Sequence, residues 1–362
     1  MLSDRKPETI SIVIQDLHHR ITGVSSTAQN VHQVQKKRYS TLMISYRADV
    51  EGRVSLWKAL RVCRVPTADG RPRIWHARRN YEMFWGILFK KLLRCPLILV
   101  LTAAAKREAS IFPRLLTSQM DAVIATSADA AKFKKHVDAI IPHGVDCQRL
   151  CPPASKAALM AALGHPGFLG IGIFGRIRPE KGTDLFVRSM IELLPKYPQY
   201  KAFIVGLVTA QFTAFAEDLQ SQIRQAGLED RFIWTGEVKY WKVPEVFQAM
   251  SLVAATPRYE GFGVVPLEAM ATGSPVVATK TGEYARMIVS GENGWLVDVE
   301  DQAAITARLA DCMSDPARLE SMGRNGRQFV LDHFSVEREV DAIDQVYQSL
   351  WAAEDRKRST KT

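Results

Sequence analysis

The sequence predicts an α/β protein built from two doubly wound parallel sheets, followed by a helical C-terminal extension. Short apolar runs of strand length alternate with helical stretches through both halves of the chain, a pattern typical of parallel sheets covered by helices on both faces. The 362 residues exceed the length that one hydrophobic core usually serves. Pro152, Pro153 and Pro166 surround a short alanine-rich helix and mark a linker, so we expect domains at 1–150 and 151–362.

The individual strands are predicted from apolar runs bounded by turn-forming or charged residues. In the first domain these runs lie at 10–14, 41–45, 73–76, 97–102, 122–126 and 139–142. In the second domain they lie at 168–174, 202–205, 231–234, 252–255 and 275–278. After Asp301 the pattern is helical to the end of the chain, and the polar tail 356–362 is expected to be disordered.

The net charge of +10 is distributed unevenly along the chain. Residues 1–150 carry 25 Lys and Arg against 12 Asp and Glu, whereas residues 151–362 carry 23 against 26. The first domain is therefore strongly basic and the second slightly acidic. This asymmetry indicates an anionic partner for the first domain, which is nucleic acid, an acidic membrane surface or an acidic acceptor molecule.

The composition excludes several classes of protein. The longest apolar run, 95–101, has the length of a strand and is far shorter than a membrane span. The polar N-terminus, 1–8, does not resemble a secretory signal, so we expect a cytoplasmic protein. Five cysteines without a Cys-x-x-Cys pair favour reduced thiols over a disulfide framework or a zinc site.

The segment 259–273 carries the most informative pattern in the chain. Gly261 and Gly263 let the backbone approach a ligand, and Pro266 suits the first turn of a helix that we expect to begin near Val264. The unpaired N–H groups of that turn suit a phosphate, whereas Glu260 and Glu268 are placed to accept hydrogen bonds from sugar hydroxyls. The alternative is a glycine-flanked helix start whose acidic residue serves only the helix dipole.

Two further loops follow the first strand of each domain. In the second domain, Arg176 and Lys181 bracket a turn and supply two cations for a diphosphate. In the first domain, Gly23 opens a helix in the loop 20–26. Because loops at the carboxyl ends of parallel strands hold ligands in such sheets, we expect these motifs to line binding sites.

These motifs together resemble the family 4 retaining glycosyltransferases, whose GT-B fold has two Rossmann-like domains facing across a cleft. The resemblance covers nearly the whole chain, and it rests on a set of motifs in the family's order. They are Gly175-Arg176-x-x-Pro179-Glu180-Lys181-Gly182, the Glu260/Glu268 pair, Pro142-His143-Gly144-Val145-Asp146, and the segments 273–277 and 293–297. The resemblance also implies that the last helices return to the N-terminal, acceptor-binding domain, while 151–362 binds the nucleotide sugar.

The resemblance implies a role for each candidate residue. Arg176 and Lys181 would stabilise the leaving diphosphate, Glu268 would bind the ribose, and Glu260 would contact the transferred sugar. Backbone contacts would come from Gly261, Phe262, Gly263 and Val264. The segment 236–239, which contains Val238, would form a wall for the base. His76 is similar to the family's histidine near the sugar hydroxymethyl group, with a strand-end histidine as the alternative. Gly23 would approach the β-phosphate, although Thr22 replaces the first glycine of the family's pair.

The resemblance further implies retention of the anomeric configuration. The chain contains no Asp-x-Asp motif, so Arg176 and Lys181 are expected to act in place of a divalent metal. The enzymes most similar in length and charge distribution add mannose or another hexose to the inner core of bacterial lipopolysaccharide. We therefore expect GDP-mannose as the donor, with UDP-hexoses as the alternative, an anionic glycolipid or oligosaccharide as the acceptor, and no other cofactor.

Three other interpretations compete with this one: a dehydrogenase, a nucleic-acid-binding protein, and a non-catalytic sugar-nucleotide binder, which only turnover assays separate from an enzyme. The glycines of 170–175 match a dinucleotide-binding pattern, but they lie inside the expected strand and not after it. Nucleic-acid binding is disfavoured because the basic residues are scattered and no recognition motif is present.

The segment 80–94 has an apolar helical stripe with Lys90, Lys91 and Arg94 at its end, which fits either a packed crossover helix or contact with an anionic membrane.

Overall fold

The computed structural model describes residues 6–18, 23–47, 50, 52–106 and 108–360. Contacts between residues divide the chain into two compact units. The first unit is Met1–Gly144 together with Val336–Thr362, and the second is Val145–Ser335. The chain therefore enters the second unit beside the predicted proline-rich linker, and its last helix belongs to the first unit.

The first unit contains a parallel sheet of six strands in the order β2-β1-β3-β4-β5-β6. The strands are β1 Ile12–Asp16, β2 Thr41–Ser45, β3 Arg73–Ala77, β4 Leu97–Ala103, β5 Ala122–Ala125 and β6 Ala139–Ile140. The helices are α1 Gly23–Arg38, α2 Leu56–Arg64, α3 Asn80–Ile87, α4 Ile111–Thr117 and α5 Ala128–Ala131, and a π-helical turn, Leu88–Leu92, continues α3.

Strands β1 to β5 are buried on both faces, which explains their continuous apolar runs. Alternate residues of these five strands enter two separate hydrophobic clusters. One cluster holds Trp75 and Phe89 with α2 and α3, and the other holds Ile14 with α1 and Tyr347 of the last helix. The C-terminal helix is thus part of the core of the first unit.

The second unit contains a parallel sheet in the order β12-β11-β10-β7-β8-β9. The strands are β7 Leu169–Phe174, β8 Tyr200–Val205, β9 Phe232–Gly236, β10 Met250–Ala255, β11 Val276–Thr279 and β12 Gly294–Val297. The helices are α6 Lys156–Ala162, α7 Thr183–Leu193, α8 Thr213–Gln225, α9 Val243–Ala249, α10 Val265–Ala271, α11 Tyr284–Met287, α12 Gln302–Ser314 and α13 Pro316–His333. Returning to the first unit, α14 spans Val336–Ser359.

Strand β12 is absent from the sequence prediction, although the strands predicted before it are present within a few residues. It lies at the edge of the sheet and has only four residues, so its apolar run is short for a strand signal. The prediction of a disordered tail from Arg356 was also wrong as far as Ser359, because α14 continues to that residue. Asp355 accepts hydrogen bonds from Arg71 at 2.8 and 3.1 Å, and this contact holds the end of the helix to the first unit.

The glycines that resemble a dinucleotide fingerprint have a packing role in this fold. Gly170 and Gly172 lie within β7, where a Cβ atom would stand 2.7 Å from the side chains of Met250 and Phe174, respectively. Phe174 in turn stacks on Phe247 with 3.7 Å between ring centroids. These glycines make room for the core, so the structure agrees with the rejection of a dehydrogenase site.

Each sheet contains one point at which the strand order reverses. In the first sheet this point lies between β1 and β3, and in the second between β7 and β10. The loops that leave adjacent strands diverge there and open a crevice at the carboxyl edge, where open α/β sheets bind their ligands. In the second sheet these loops are 175–182, after β7, and 256–264, after β10.

Candidate active site in the second sheet

The loop after β7 places two cations at the reversal point. Arg176 is exposed, and Lys181 ends the 3₁₀ turn Pro179–Lys181. Gly182 follows with φ 69°, and a Cβ atom there would lie 1.9 Å from the backbone oxygen of Thr256. Only glycine fits this position, because the backbone of the loop presses against the start of the neighbouring loop.

Arg258 holds the two loops together. Its guanidinium binds both carboxylate oxygens of Asp184, at 2.8 and 2.9 Å, and its backbone N–H donates to the oxygen of Glu180 at 2.9 Å. Its side chain also pairs with Glu300 at 2.7 Å. Burial acts to raise the pKa of Asp184, but the hydrogen bonds from Arg258 hold that pKa below its usual value. The forked pair thereby holds the loop 256–264 to the start of α7, which follows Lys181 by two residues.

Lys181 and Glu260 form an ion pair at the centre of the site. The Nζ of Lys181 lies 2.5 Å from Oε2 of Glu260, and both side chains are partly buried. Oε1 of Glu260 accepts the N–H of Gly261 at 3.1 Å, and the N–H of Glu260 donates to Oγ1 of Thr281 at 3.2 Å. The structure therefore brings together a cation and a carboxylate that are 79 positions apart in sequence.

The glycine pattern after Glu260 has a steric cause at its second position. Gly263 has φ 81°, and a Cβ atom there would stand 2.4 Å from the ring of Tyr284 and 2.6 Å from Cγ of Glu260. The backbone oxygen of Phe262, a buried residue, accepts the N–H of Glu283 at 3.0 Å. The turn is thus anchored on both sides before the helix begins at Val265, one residue after the predicted start.

Glu268 lies in the first turn of α10, and its backbone N–H donates to the oxygen of Val264 at 2.9 Å. The residue keeps partial exposure. Burial nevertheless raises the pKa of its carboxyl to about 7, and the charge of Arg149 offsets part of this shift. Arg149 is held in turn by Tyr240, which lies under the guanidinium at 4.0 Å and accepts a hydrogen bond at its backbone oxygen.

Tyr284 connects the two glutamates. Its side chain is buried, and burial together with the charges of Glu260 and Glu268 raises its pKa well above the usual value. Both carboxylates are therefore close enough to Tyr284 for their charges to act on its phenol. Val238, in the loop after β9, is partly buried against the same hydrophobic cluster as Val264.

The predicted residues of the first unit have different surroundings. His76 is fully buried in β3, and its Nδ1 and Nε2 lie 2.5 Å from Oη of Tyr347 and 2.7 Å from Oγ1 of Thr102. Burial, with the nearby charge of Arg78, lowers its pKa well below the usual value, so the ring is neutral. The predicted sugar contact stays a prediction, and it requires Tyr347 or Thr102 to release a ring nitrogen.

Gly23 is the first residue of α1 and is exposed, with open space where a Cβ atom would stand. Its predicted partner in the loop, Thr22, lies outside the described residues, as does the rest of 19–22. The approach of this backbone to a phosphate therefore stays a prediction.

Sequence reasoning missed Arg258, Tyr284 and Arg149. Arg258 had a usable signal, because it follows a predicted strand at the reversal point by three residues. Tyr284 and Arg149 had none, since each reaches the site from a distant segment. Within the described part of the chain, no group of three or more His, Cys, Asp and Glu side chains is arranged to hold a metal ion.

A doubly wound sheet with cations and carboxylates at its reversal point suits a ligand that combines phosphates with hydroxyl groups. Residues 166–329 match the family model described as glycosyl transferases group 1. A lipopolysaccharide core biosynthesis mannosyltransferase, LpcC of Rhizobium leguminosarum bv. viciae, is 41% identical over 347 residues, covering 94% of this chain and 97% of the relative. The chain belongs to the group 1 glycosyltransferases, as its motifs predicted.

A second relative agrees over the same length. The lipopolysaccharide core biosynthesis mannosyltransferase LpsB of Rhizobium meliloti (strain 1021) is 37% identical, covering 94% of this chain and 98% of the relative. Among solved structures, the C-terminal domain of LpcC from Francisella tularensis is 35% identical, with a TM-score of 0.51 over 53% of this chain and 99% of that one.

The fold extends beyond this subgroup. Anabaena Alr3699/HepE in complex with UDP and glucose has a TM-score of 0.77 at 19% identity, covering 94% of this chain and all of that one. At this identity the likeness concerns the fold. The predicted fold class, two doubly wound domains with a helical C-terminal part, is confirmed, and so is the prediction of a glycosyltransferase.

Proposed function

We propose that this enzyme transfers mannose from GDP-mannose to an anionic acceptor of the lipopolysaccharide inner core, with retention of configuration. The observation that carries the proposal is the identity of 41% and 37% to two named lipopolysaccharide core mannosyltransferases across 94% of the chain. The geometry of the second sheet supports the same chemistry, because it presents cations for a diphosphate beside carboxylates for sugar hydroxyls.

A further relative supports GDP-mannose as the donor. A protein of Mycolicibacterium smegmatis, named a GDP-mannose-dependent mannosyltransferase, is 32% identical over 203 residues, which cover 54% of this chain and 52% of the relative. UDP-hexoses are the second candidate, since a structure of the same fold contains UDP and glucose.

Lys181 and Arg176 bind the diphosphate in this proposal. As the sugar leaves the nucleotide, negative charge builds on the diphosphate, and two fixed cations stabilise it without metal. The ammonium of Lys181 binds Glu260 at 2.5 Å. When the donor binds, this ammonium turns from Glu260 to the phosphate oxygens. The exchange frees the Glu260 carboxylate to accept hydrogen bonds from the transferred sugar.

The remaining predicted residues bind the nucleoside and the backbone of the donor. Glu268, held in α10 beside Tyr284, accepts hydrogen bonds from the ribose hydroxyls. The backbone from Gly261 to Val264 lines the path between the two glutamates. Val238, which packs against the same hydrophobic cluster as Val264, supplies an apolar wall for the base.

A glycolipid acceptor would place the enzyme at a membrane surface, and the first unit exposes an apolar patch that suits one. We define this patch as Phe84 and Leu92, of the predicted segment 80–94, with Ile111, Phe112 and Leu115 of α4. Leu92 is 70% exposed and Ile111 74% exposed, and α3 packs against α4. Across the described residues, each helix is too short or too polar to cross a membrane.

The cations around the patch favour an anionic bilayer. Lys91, Arg94 and Arg114 are exposed beside the apolar side chains, and each such cation adds about 1 kcal/mol at an anionic surface. Lys90, in contrast, is paired with Asp121 at 2.5 Å, so it belongs to the packed side of the segment. The buried Met83 and Phe89 fit a packed crossover helix, and the exposed Phe84 and Leu92 support membrane contact.

The proposed reaction is tested with a panel of nucleotide sugars and a lipopolysaccharide core acceptor. We expect GDP-mannose to raise the unfolding temperature and to be consumed, while UDP-glucose and UDP-galactose give neither effect. A ligand at 100 times its dissociation constant adds about 2.7 kcal/mol of stability. Transfer from a UDP-hexose with no response to GDP-mannose would replace the donor, and the absence of transfer from every donor would contradict the proposed function.

A further inference from the structure

A group of buried charges lies at the carboxyl edge of the first sheet, where β1 and β3 are neighbours. Asp16 ends β1 and is fully buried. Its Oδ2 accepts from Nη1 of Arg47 at 3.3 Å, and its Oδ1 accepts from Nη1 of Arg79 at 3.1 Å. Arg79 also donates to Oγ of Ser25 at 2.9 Å. Both oxygens of Asp16 are therefore engaged.

A second carboxylate, Glu82, is fully buried in the first turn of α3. Its Oε2 accepts the backbone N–H of Arg78 at 2.7 Å and that of Arg79 at 3.1 Å, and its Oε1 lies 3.4 Å from Nη1 of Arg79. Burial raises the pKa of Glu82, and the neighbouring N–H groups and guanidinium charges offset part of that shift. Glu82 thus fixes the backbone that carries both arginines.

Arg78 differs from its neighbour in one respect. The residue is 9% exposed, and its Nε, Nη1 and Nη2 are all buried without a hydrogen-bond partner among the described residues. Its charge reaches three buried groups, because it acts to lower the pKa of His76, Glu82 and Tyr347. The guanidinium is therefore present in the interior with its donors unused.

The guanidinium cannot avoid the cost of an unpaired buried charge by losing its proton, because arginine stays protonated in proteins. Burying a charge without a partner costs several kcal/mol, and buried polar groups are almost always satisfied. Both carboxylate oxygens of Asp16 already accept hydrogen bonds from Arg47 and Arg79. An anion from outside the chain could pair with the guanidinium of Arg78 in place, through two of its N–H groups.

We propose that Arg78 binds an anionic group of the acceptor, a carboxylate or a phosphate, at the reversal point of the first sheet. The proposal rests on the proposed function, in which the acceptor is anionic. A planar guanidinium matches either anion with two parallel hydrogen bonds. The neighbouring His76 is neutral, so it does not compete for the anion, and Arg79 positions the loop through Asp16, Ser25 and Glu82.

The first experiment measures stability with simple anions and the full-length protein. In chloride buffer, we expect Arg78→Gln to unfold at the same temperature as the wild type or a few degrees higher, because an unpaired buried charge has been removed. Inorganic phosphate or acetate, at constant ionic strength, should raise the unfolding temperature of the wild type more than that of Arg78→Gln, in which only Arg176 and Lys181 of the second sheet remain to bind the anion. The stronger of the two responses identifies the anion. Arg61→Gln, an exposed arginine on α2, is the matched control and should respond like the wild type.

The second experiment measures transfer. Arg78→Gln should raise the KM for the acceptor by about 10- to 100-fold, the range for a lost hydrogen bond to a charged group, with the KM for GDP-mannose unchanged. Arg78→Lys should recover part of the loss. An unfolding temperature of Arg78→Gln well below the wild type, with equal anion response and equal acceptor KM, would show Arg78 to be structural.

The two proposals fail in different ways. If the wild type transfers no sugar but its response to anions depends on Arg78, the anion site stands and the proposed function falls. If mannose is transferred with the same acceptor KM by the wild type and Arg78→Gln, the proposed function stands and the anion site falls.

Discussion

Both sheets fix an arginine with a carboxylate at the reversal point, but they differ in the burial and pairing of the neighbouring cations. In the first sheet, Arg79 is fixed by the fully buried Asp16, and in the second, Arg258 is fixed by the partly buried Asp184. Beside the fixed arginine, the first sheet buries Arg78 without a partner, whereas the second leaves Arg176 exposed and Lys181 in a pair that solvent reaches.

This difference separates two kinds of anion recognition. Cations that remain in contact with water can exchange one anion for another at little cost, which suits a diphosphate that arrives, leaves and changes its charge during the reaction. A buried guanidinium is costly until its anion is present, so it favours one compact group over solvent and over wrong partners. In the proposed reaction, the second sheet would therefore serve turnover of the donor, and the first would serve selection of the acceptor.

The largest expected effect comes from the exposed cations of the second sheet. Arg176→Ala and Lys181→Ala should each lower kcat by about 10²- to 10³-fold, the range for removing one preorganised donor of charge, with the unfolding temperature little changed. Steady-state kinetics with GDP-mannose measure the effect. Lys196→Ala, an exposed lysine of the same unit, is the control. Near-normal kcat in either variant would remove the diphosphate assignment.

The next effect concerns the arginine that fixes the loops. Arg258→Ala should lower the free energy of unfolding by about 2 kcal/mol, because a partly buried forked pair with Asp184 is lost. Arg188 binds the same carboxylate from a more exposed position, so Arg188→Ala should cost under about 0.5 kcal/mol. Urea denaturation compares them. Equal losses in the two variants would mean that Arg258 does not organise the site.

A smaller effect is expected from the titration of Glu268. With a pKa of about 7, its carboxylate is the minor form at pH 6 and the major form at pH 8. If the ribose binds the carboxylate, affinity for GDP-mannose should rise about tenfold between these pH values, whereas Glu268→Gln should give weaker binding that does not change with pH. Calorimetric titration measures both. A parallel pH dependence in the variant would assign the titration to another group.

The same group gives a dependence of stability on pH. Because the folded protein raises the pKa of Glu268 from 4.5 to about 7, it binds the proton more tightly than the unfolded chain does. The favourable contribution is complete below about pH 4.5 and is lost as the pH rises to about 7. The wild type should therefore lose about 1 to 3 kcal/mol relative to Glu268→Gln across this interval.

The smallest expected effect is that of chelation. If Arg176 and Lys181 act in place of a metal, excess EDTA should leave the rate of mannose transfer unchanged, and added Mg²⁺ or Mn²⁺ should not increase it. The assay compares initial rates before and after dialysis against the chelator. A loss that only a divalent cation restores would contradict the electrostatic role of the two side chains.

The sequence by itself determined the two parallel sheets and the loops that carry the second site. Continuous apolar runs predict strands buried on both faces, and glycines and prolines show where each strand passes to a helix. Arg176, Lys181, Glu260 and Glu268 were found in this way, because each lies close after a strand or helix start that local pattern reveals. The same reasoning did not predict the short strand β12 or the helical end of the chain.

Only the tertiary structure decided which of these side chains meet and which charges are satisfied. The Lys181–Glu260 pair and the Arg258–Asp184 pair join segments far apart in sequence, and the charges of Glu260 and Glu268 act on the distant Tyr284. The contrast between Arg78 and Arg79 is sharper still. They are adjacent and identical in type, but one side chain meets Asp16 and the other meets no acceptor in the described structure. Local pattern cannot distinguish them, because burial and pairing depend on what the rest of the chain brings alongside.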